Sequence, residues 1–220
     1  MSGELILYGH PFSSYTWQAL IALYEKELAF DFRNVDPSCP GHAEELKALW
    51  PRGKFPLLVH GDQVQFETSV IVEYLDLTFP ETICLLPHDA MAALEVRRWD
   101  RVFDNYVMEI AQHVVNDALR GPDGHCQPIV DRAKADLDII YDYLDAELPA
   151  EGWVCGAFSM ADISAAPALF YADWVHEIGD MRPRLTAYRR RLLARPSVAR
   201  CVEDARPYRH YFPLGAPDRD

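Results

Sequence analysis

Phe55-Pro56 and Glu67-Thr68 bracket the stretch of this chain best equipped for chemistry, FPLLVHGDQVQFET. A proline directly ahead of an apolar run cannot donate to a strand ladder, so Pro56 belongs to a turn. If the Phe55-Pro56 bond is cis, the Phe55 backbone turns outward and its N–H and C=O can pair with a peptide. Glu67 and Thr68 stand at the mouth of an apolar helix, where unpaired N–H groups and the helix dipole attract a carboxylate. Glu67 itself offers a partner to an ammonium group. The four residues describe a site for a small zwitterionic peptide. Upstream, LYGHPFSSYTWQALIAL sets Ser13 and Ser14 between a strand and a helix, where a hydroxyl can cap the helix or hold an anion.

These residues need a frame, and the periodicity supplies one. Leu5 to Tyr8 reads as a short apolar strand, and a helix follows from about Tyr15 to Lys26 with Trp17, Leu20, Ile21 and Tyr24 at helical spacing. Phe30 to Val35 alternates as a second strand, giving a βαβ unit with a right-handed crossover. His42 to Trp50 reads as a helix, ended by Pro51-Arg52-Gly53. A hairpin turning at His60-Gly61-Asp62 comes next, then a third helix with Val70, Ile71, Tyr74 and Leu75 on one face. The order βαβ then ββα is the thioredoxin-like one, without the redox C-x-x-C after the first strand.

An α/β domain over residues 1–78 is therefore expected, followed by a proline-bearing linker over 79–88 and an all-α domain over 89–220. Long amphipathic stretches run over about 90–119 and 129–148, the second with Ile129, Leu137, Ile140, Tyr141 and Leu144 on one face. Ser159 and Asp162 have the spacing of a capping box, with Phe158 and Ile163 placed as its hydrophobic staple. Pro167 is expected to bend the helix they start.

Composition narrows the classes. The chain has 220 residues, half of them hydrophobic, and a formal charge of −13, which argues against nucleic-acid binding. Arg189-Arg190-Arg191 reads as the solvated face of a late helix. Five scattered cysteines without C-x-x-C suggest neither a disulfide framework nor a zinc site, and fit a reducing compartment. The histidines form no ligand set, so no metal is expected. No basic leader or run of membrane-spanning length is visible, which makes the cytoplasm the expected location and a membrane partner unexpected.

In their order along the chain, these motifs resemble the serine-type cytosolic glutathione transferases of the zeta, theta and phi kind. In that family a V-P dipeptide with a cis-proline holds the cysteinyl backbone of glutathione. An acidic residue with Ser or Thr at the start of the third helix holds the γ-glutamyl end. Phe55-Pro56 and Glu67-Thr68 match both, with Phe for Val and Thr for the commoner Ser. The first loop resembles the zeta pattern L-Y-S-Y-F-R-S-S-C-S-W-R-V-R, which puts the catalytic serine on Ser13 and a supporting hydroxyl on Ser14. Tyr8 stands where the alpha, mu and pi classes carry a catalytic tyrosine, although packing is its simpler role. Tyr15 replaces the zeta cysteine and Gln18 the following arginine, which puts a maleylacetoacetate isomerase in doubt.

The resemblance implies further assignments. Lys54, and more weakly His42, would meet the glycyl carboxylate of glutathione. Phe12, Trp99, Phe103 and Tyr106 would line an electrophile pocket, unless the aromatic stripe is ordinary core packing. The Ser159 box resembles the one that starts the core helix of the transferase C-terminal domain. The implied protein is a homodimer with glutathione as co-substrate, conjugating small hydrophobic electrophiles in detoxification. A glutathione-dependent cis-trans isomerase or dehalogenase would need a basic residue such as Arg97, Arg98 or Arg101 in the pocket. A non-catalytic glutathione-binding module would keep the same peptide site without the thiolate. Thiol-disulfide exchange is disfavoured because residues 8–20 contain no cysteine.

Overall fold

The computed structural model describes residues 3–220. Contacts divide the chain between Leu86 and Pro87 into two compact units.

In the first unit, β1 (Leu5–Gly9), β2 (Asp31–Asn34), β3 (Leu57–His60) and β4 (Gln63–Phe66) form one sheet in the order β2-β1-β3-β4. β1 and β2 are parallel, with Gly9 opposite Asn34, and α1 (Ser14–Glu25) makes the crossover between them. β3 runs antiparallel to β1 with Leu57 opposite Tyr8, and β4 antiparallel to β3 with Phe66 opposite Leu57. The carboxyl ends of β1, β2 and β4 and the amino end of β3 therefore share one end of the sheet. α2 (Pro40–Leu49) and α3 (Thr68–Thr78) complete the thioredoxin-like order.

Trp17 and Ile21 of α1 and Ile71, Val72 and Leu75 of α3 are wholly buried. Val70 is 48% exposed, against the expectation that it shares the buried face. With the helix starting at Thr68, the inward stripe runs through 68, 71, 72 and 75, and Val72 takes the place given to Val70. Beyond α3, the chain is fastened to this unit by a buried ion pair. Lys26 Nζ lies 2.5 Å from Asp76 Oδ1 and donates to Thr82 Oγ1 and Ile83 O, while Asp76 accepts from the N–H groups of Leu85 and Leu86. Each charge thus has the extra partners that a buried pair requires.

The second unit is helical. The stretch 90–119 forms α4 (Ala90–Phe103), a π-helical turn (Asp104–Met108) and α5 (Glu109–Leu119). Then come α6 (Gln127–Glu147), α7 (Met160–Val175), α8 (Pro183–Leu193), α9 (Pro196–Ala205) and a 3₁₀ turn (Arg206–Tyr211). Every residue of α7 is buried, which its nearly unbroken apolar sequence requires. Ser159 caps it as expected, its N–H and hydroxyl both donating to Asp162 Oδ2 at 2.9 and 3.1 Å. On α6 the buried stripe is Val130, Ala133, Leu137, Tyr141 and Leu144. Ile129 is exposed, one position out of phase with that stripe.

Two members of the arginine run depart from their solvated reading, while Arg190 is exposed as expected. Arg189 donates to Leu169 O and pairs with Asp173, and Arg191 donates to the carbonyls of Pro149, Ala150 and Gly152. Guanidinium groups with several fixed donors suit such carbonyl clusters. The tail also packs on this unit, with Phe212 buried against Trp174 and both Arg206 and Arg209 paired with Asp220. Among the described residues no helix is long and apolar enough to cross a membrane.

Candidate functional site

Ser13, Phe55-Pro56 and Glu67-Thr68 are distant in sequence, yet the strand register assigns all three to the same end of the sheet. They follow β1, precede β3 and follow β4, respectively.

The loop between β1 and α1 is held at nearly every residue. Gly9 O accepts from Val35 N, His10 N donates to Thr16 Oγ1, and Trp17 Nε1 donates to Pro11 O at 2.7 Å. A Cβ at Gly9 would come within 2.5 Å of Thr16 Cγ2, so only glycine admits this approach. Ser13 is the N-cap of α1. Its Oγ accepts from Thr16 N at 3.3 Å, and its own N–H donates to His10 O. Capping and catalysis are compatible here, because a hydroxyl that accepts through a lone pair still has a hydrogen to donate. Ser14 is the first residue of α1 and is half-buried.

The Phe55-Pro56 bond is cis. Phe55 lies outside the β3 ladder, which starts at Leu57, so sheet pairing does not occupy its backbone groups. Glu67, the N-cap of α3, has φ 68° and ψ 122°, a sparsely populated conformation for a residue with a side chain. Its exposed carboxylate makes no capping bond. Thr68 is buried at the first position of the helix. A strained acidic residue at the positive end of a helix dipole is equipped for a group with both an ammonium and a carboxylate.

The remaining sequence candidates have different surroundings. Tyr8 is buried with Leu46 and Leu57 in a hydrophobic cluster, and its hydroxyl donates to Glu45 Oε2 at 2.9 Å. Burial, with Glu45 behind it, pushes the phenol above its ordinary range. His42 Nδ1 is 2.9 Å from Asn34 O, at the carboxyl end of β2. Lys54 is exposed, and Phe12 and Tyr15 are half-buried. In the helical unit, Trp99 and Phe103 are core residues rather than an open aromatic stripe. Trp99 packs against Phe103 and Tyr143 and donates to Glu95, while Phe103 stacks on Tyr188. Tyr106 is 55% exposed on the π-helical turn. Arg98 is bonded to Glu95 and lies over the Trp99 ring, and Arg101 is paired with Asp100 and Asp104.

His10, Thr16 and Asp36 are parts of the loop frame that sequence reasoning missed. The one signal available was Asp36 two residues before Ser38, the spacing of an Asx turn. Asp36 Oδ1 does accept from Ser38 N at 2.8 Å. Among the described residues no three His, Cys, Asp or Glu side chains are grouped to hold a metal ion.

Comparison with known proteins follows the same division of the chain. Residues 7–82 match the family description "Glutathione S-transferase, N-terminal domain" and residues 127–191 match "Glutathione S-transferase, C-terminal domain". Glutathione S-transferase 3 of Zea mays is 32% identical, over 90% of this chain and 93% of its own. A glutathione S-transferase of Silene vulgaris is 29% identical, over 87% and 93% respectively. A crystal structure of a glutathione S-transferase from Methylobacillus flagellatus with GSH bound has a TM-score of 0.79 at 26% identity, covering 90% of this chain and 98% of that one.

Proposed function

The chain belongs to the glutathione S-transferase family, and on that premise we propose that it binds glutathione as a co-substrate, activates its thiol as a thiolate and adds it to small hydrophobic electrophiles. The observation that carries this reading is the shared sheet end of Ser13, cis Phe55-Pro56 and Glu67-Thr68. In it, the Phe55 backbone pairs with the cysteinyl residue, Glu67 and the start of α3 take the γ-glutamyl end, and Lys54 takes the glycyl carboxylate. Ser13 donates its hydroxyl hydrogen to the sulfur, which also lies in the field of the α1 N-terminus. Ser14 gives secondary support.

The energetic demand is modest. Lowering a thiol from about 8.5 to about 6.5 requires roughly 2.7 kcal/mol of preference for the thiolate. One hydroxyl bond to an anion and a helix N-terminus together supply that order of energy. Of the three arginines that isomerase or dehalogenase chemistry could use, Arg98 and Arg101 are already paired with carboxylates, which supports conjugation. We take the working form to be a cytoplasmic homodimer by family likeness.

The test is the pH-dependent ultraviolet spectrum of bound glutathione, with and without Ser13→Ala. A thiolate near neutral pH in the wild type, shifted to higher pH in the variant with affinity retained, supports the serine-activated site. Binding without thiolate favours a non-catalytic glutathione-binding module, and absence of binding overturns the reading.

A further inference from the structure

We propose that His10 is a positioning residue for the Ser13 loop, its imidazole Nδ1 fixing the Phe12 backbone while Asp36 sets which ring nitrogen carries the proton. This rests on reading Ser13 as the hydroxyl that serves the thiolate.

The bonds form a directed chain. Phe12 N donates to His10 Nδ1 at 3.1 Å. A ring nitrogen that accepts carries no hydrogen, so the neutral imidazole holds its proton on Nε2. Nε2 lies 3.5 Å from Asp36 Oδ2, the partner that favours this tautomer. Asp36 is itself fixed by Ser38, whose hydrogen bonds hold the carboxyl below its ordinary range and keep it ionised. Through its main chain, His10 also donates to Thr16 Oγ1 and accepts from Ser13 N. One residue thus braces the loop from both sides of Phe12, immediately before Ser13.

Burial lowers the imidazole pKa below its ordinary value, and Asp36, from the segment after β2, is the charged group opposing that shift. At neutral pH the accepting form therefore prevails. Protonation of Nδ1 would remove the acceptor and the Phe12 contact together.

Asparagine and glutamine separate this role from mere space filling, because the Asn amide oxygen can stand where Nδ1 stands and the Gln amide reaches toward Nε2. The full chain and its His10→Asn, His10→Gln and His10→Ala variants would be saturated with glutathione, and the thiolate titrated by ultraviolet absorbance. His10→Asn is expected to keep the wild-type midpoint. His10→Gln and His10→Ala should raise it by about one pH unit, about threefold less thiolate at pH 7 for a midpoint moving from about 6.5 to about 7.5, with glutathione affinity unchanged within about twofold. Midpoints unchanged in His10→Gln and His10→Ala, or His10→Asn displaced as far as His10→Gln, would overturn the proposal. If His10→Ala fails to fold, the Asn and Gln pair decides. A wild type that binds glutathione without thiolate overturns the serine reading and this inference with it. A normal wild-type thiolate with indifferent variants overturns the His10 role alone.

Discussion

Tyr8 donates its phenolic hydrogen to Glu45 Oε2 at 2.9 Å, and the same carboxylate oxygen accepts from Arg33 Nη1 at 3.3 Å. A phenol has one hydrogen, and here a carboxylate holds it, which leaves none for a sulfur. Tyr8→Phe is therefore expected to leave the thiolate midpoint of bound glutathione unchanged. It should cost about 1 kcal/mol of stability, the ordinary worth of one hydrogen bond. Urea unfolding and the ultraviolet titration check the two halves, and a raised midpoint would return Tyr8 to the chemistry.

Glu67 combines backbone strain with a proposed binding role. Its φ of 68° costs on the order of 1–3 kcal/mol for a residue with a Cβ, so Glu67→Gly should stabilise the free protein by up to about 1 kcal/mol. The same change removes the carboxylate proposed to meet the ammonium group. Glutathione binding should weaken by roughly 1 to 3 kcal/mol in both Glu67→Gly and Glu67→Ala, as for loss of a charge-assisted bond. Calorimetric melting and titration separate the two effects. Unaltered affinity in both variants would remove Glu67 from the site.

Cysteine reactivity should follow burial. Cys155 has its thiol pushed up to about 12, by burial first and then by the charges of Asp162 and Glu95. Cys201 is wholly buried, and its thiol too is raised well above its ordinary value, by burial first. Raising a thiol pKa lowers its thiolate fraction at any pH below that value, so both are expected to stay unmodified near pH 8. Cys84, exposed beside Leu86, should react first. Mass mapping after brief alkylation of the native protein checks the order, and early labelling of Cys155 would contradict the packing around it.

The fold was legible because local signals and long-range pairing agree. Pro56 ahead of Leu57, the turn at Gly61 and the apolar period after Thr68 each fix one element, and the hairpin register follows from them. What the sequence could not convey was which polar groups meet across elements. Nothing in the spacing of Tyr8 and Glu45, or of His10 and Asp36, announces a contact, because both pairs depend on how α2 and the segment after β2 return to the sheet end. Val70 and Ile129 depart from expectation for a simpler reason: an apolar residue one position from a helical stripe fits the periodicity almost as well as its buried neighbour. The arginine run misleads because charge in a sequence says nothing about carbonyls converging from another loop, as those of Pro149, Ala150 and Gly152 do on Arg191.

Asp162 is the junction of the helical unit. Its two oxygens accept from Val154 N, from Ser159 N and Oγ, and from the hydroxyl of Tyr188. Ser159→Ala removes one of these donors, the cap hydroxyl, with an expected stability loss of about 1–2 kcal/mol. Tyr188→Phe removes another. Since both act on one buried carboxylate, the double variant should lose a different amount from the sum of the singles, by at least about 0.5 kcal/mol. Neither should alter the Michaelis constant for glutathione, because both residues belong to the second unit while the proposed glutathione contacts lie in the first. Urea unfolding of the four-protein cycle measures the coupling. Strict additivity would mean that Asp162 is not the shared acceptor, and a kinetic effect larger than the stability effect would contradict a purely structural role for the cap.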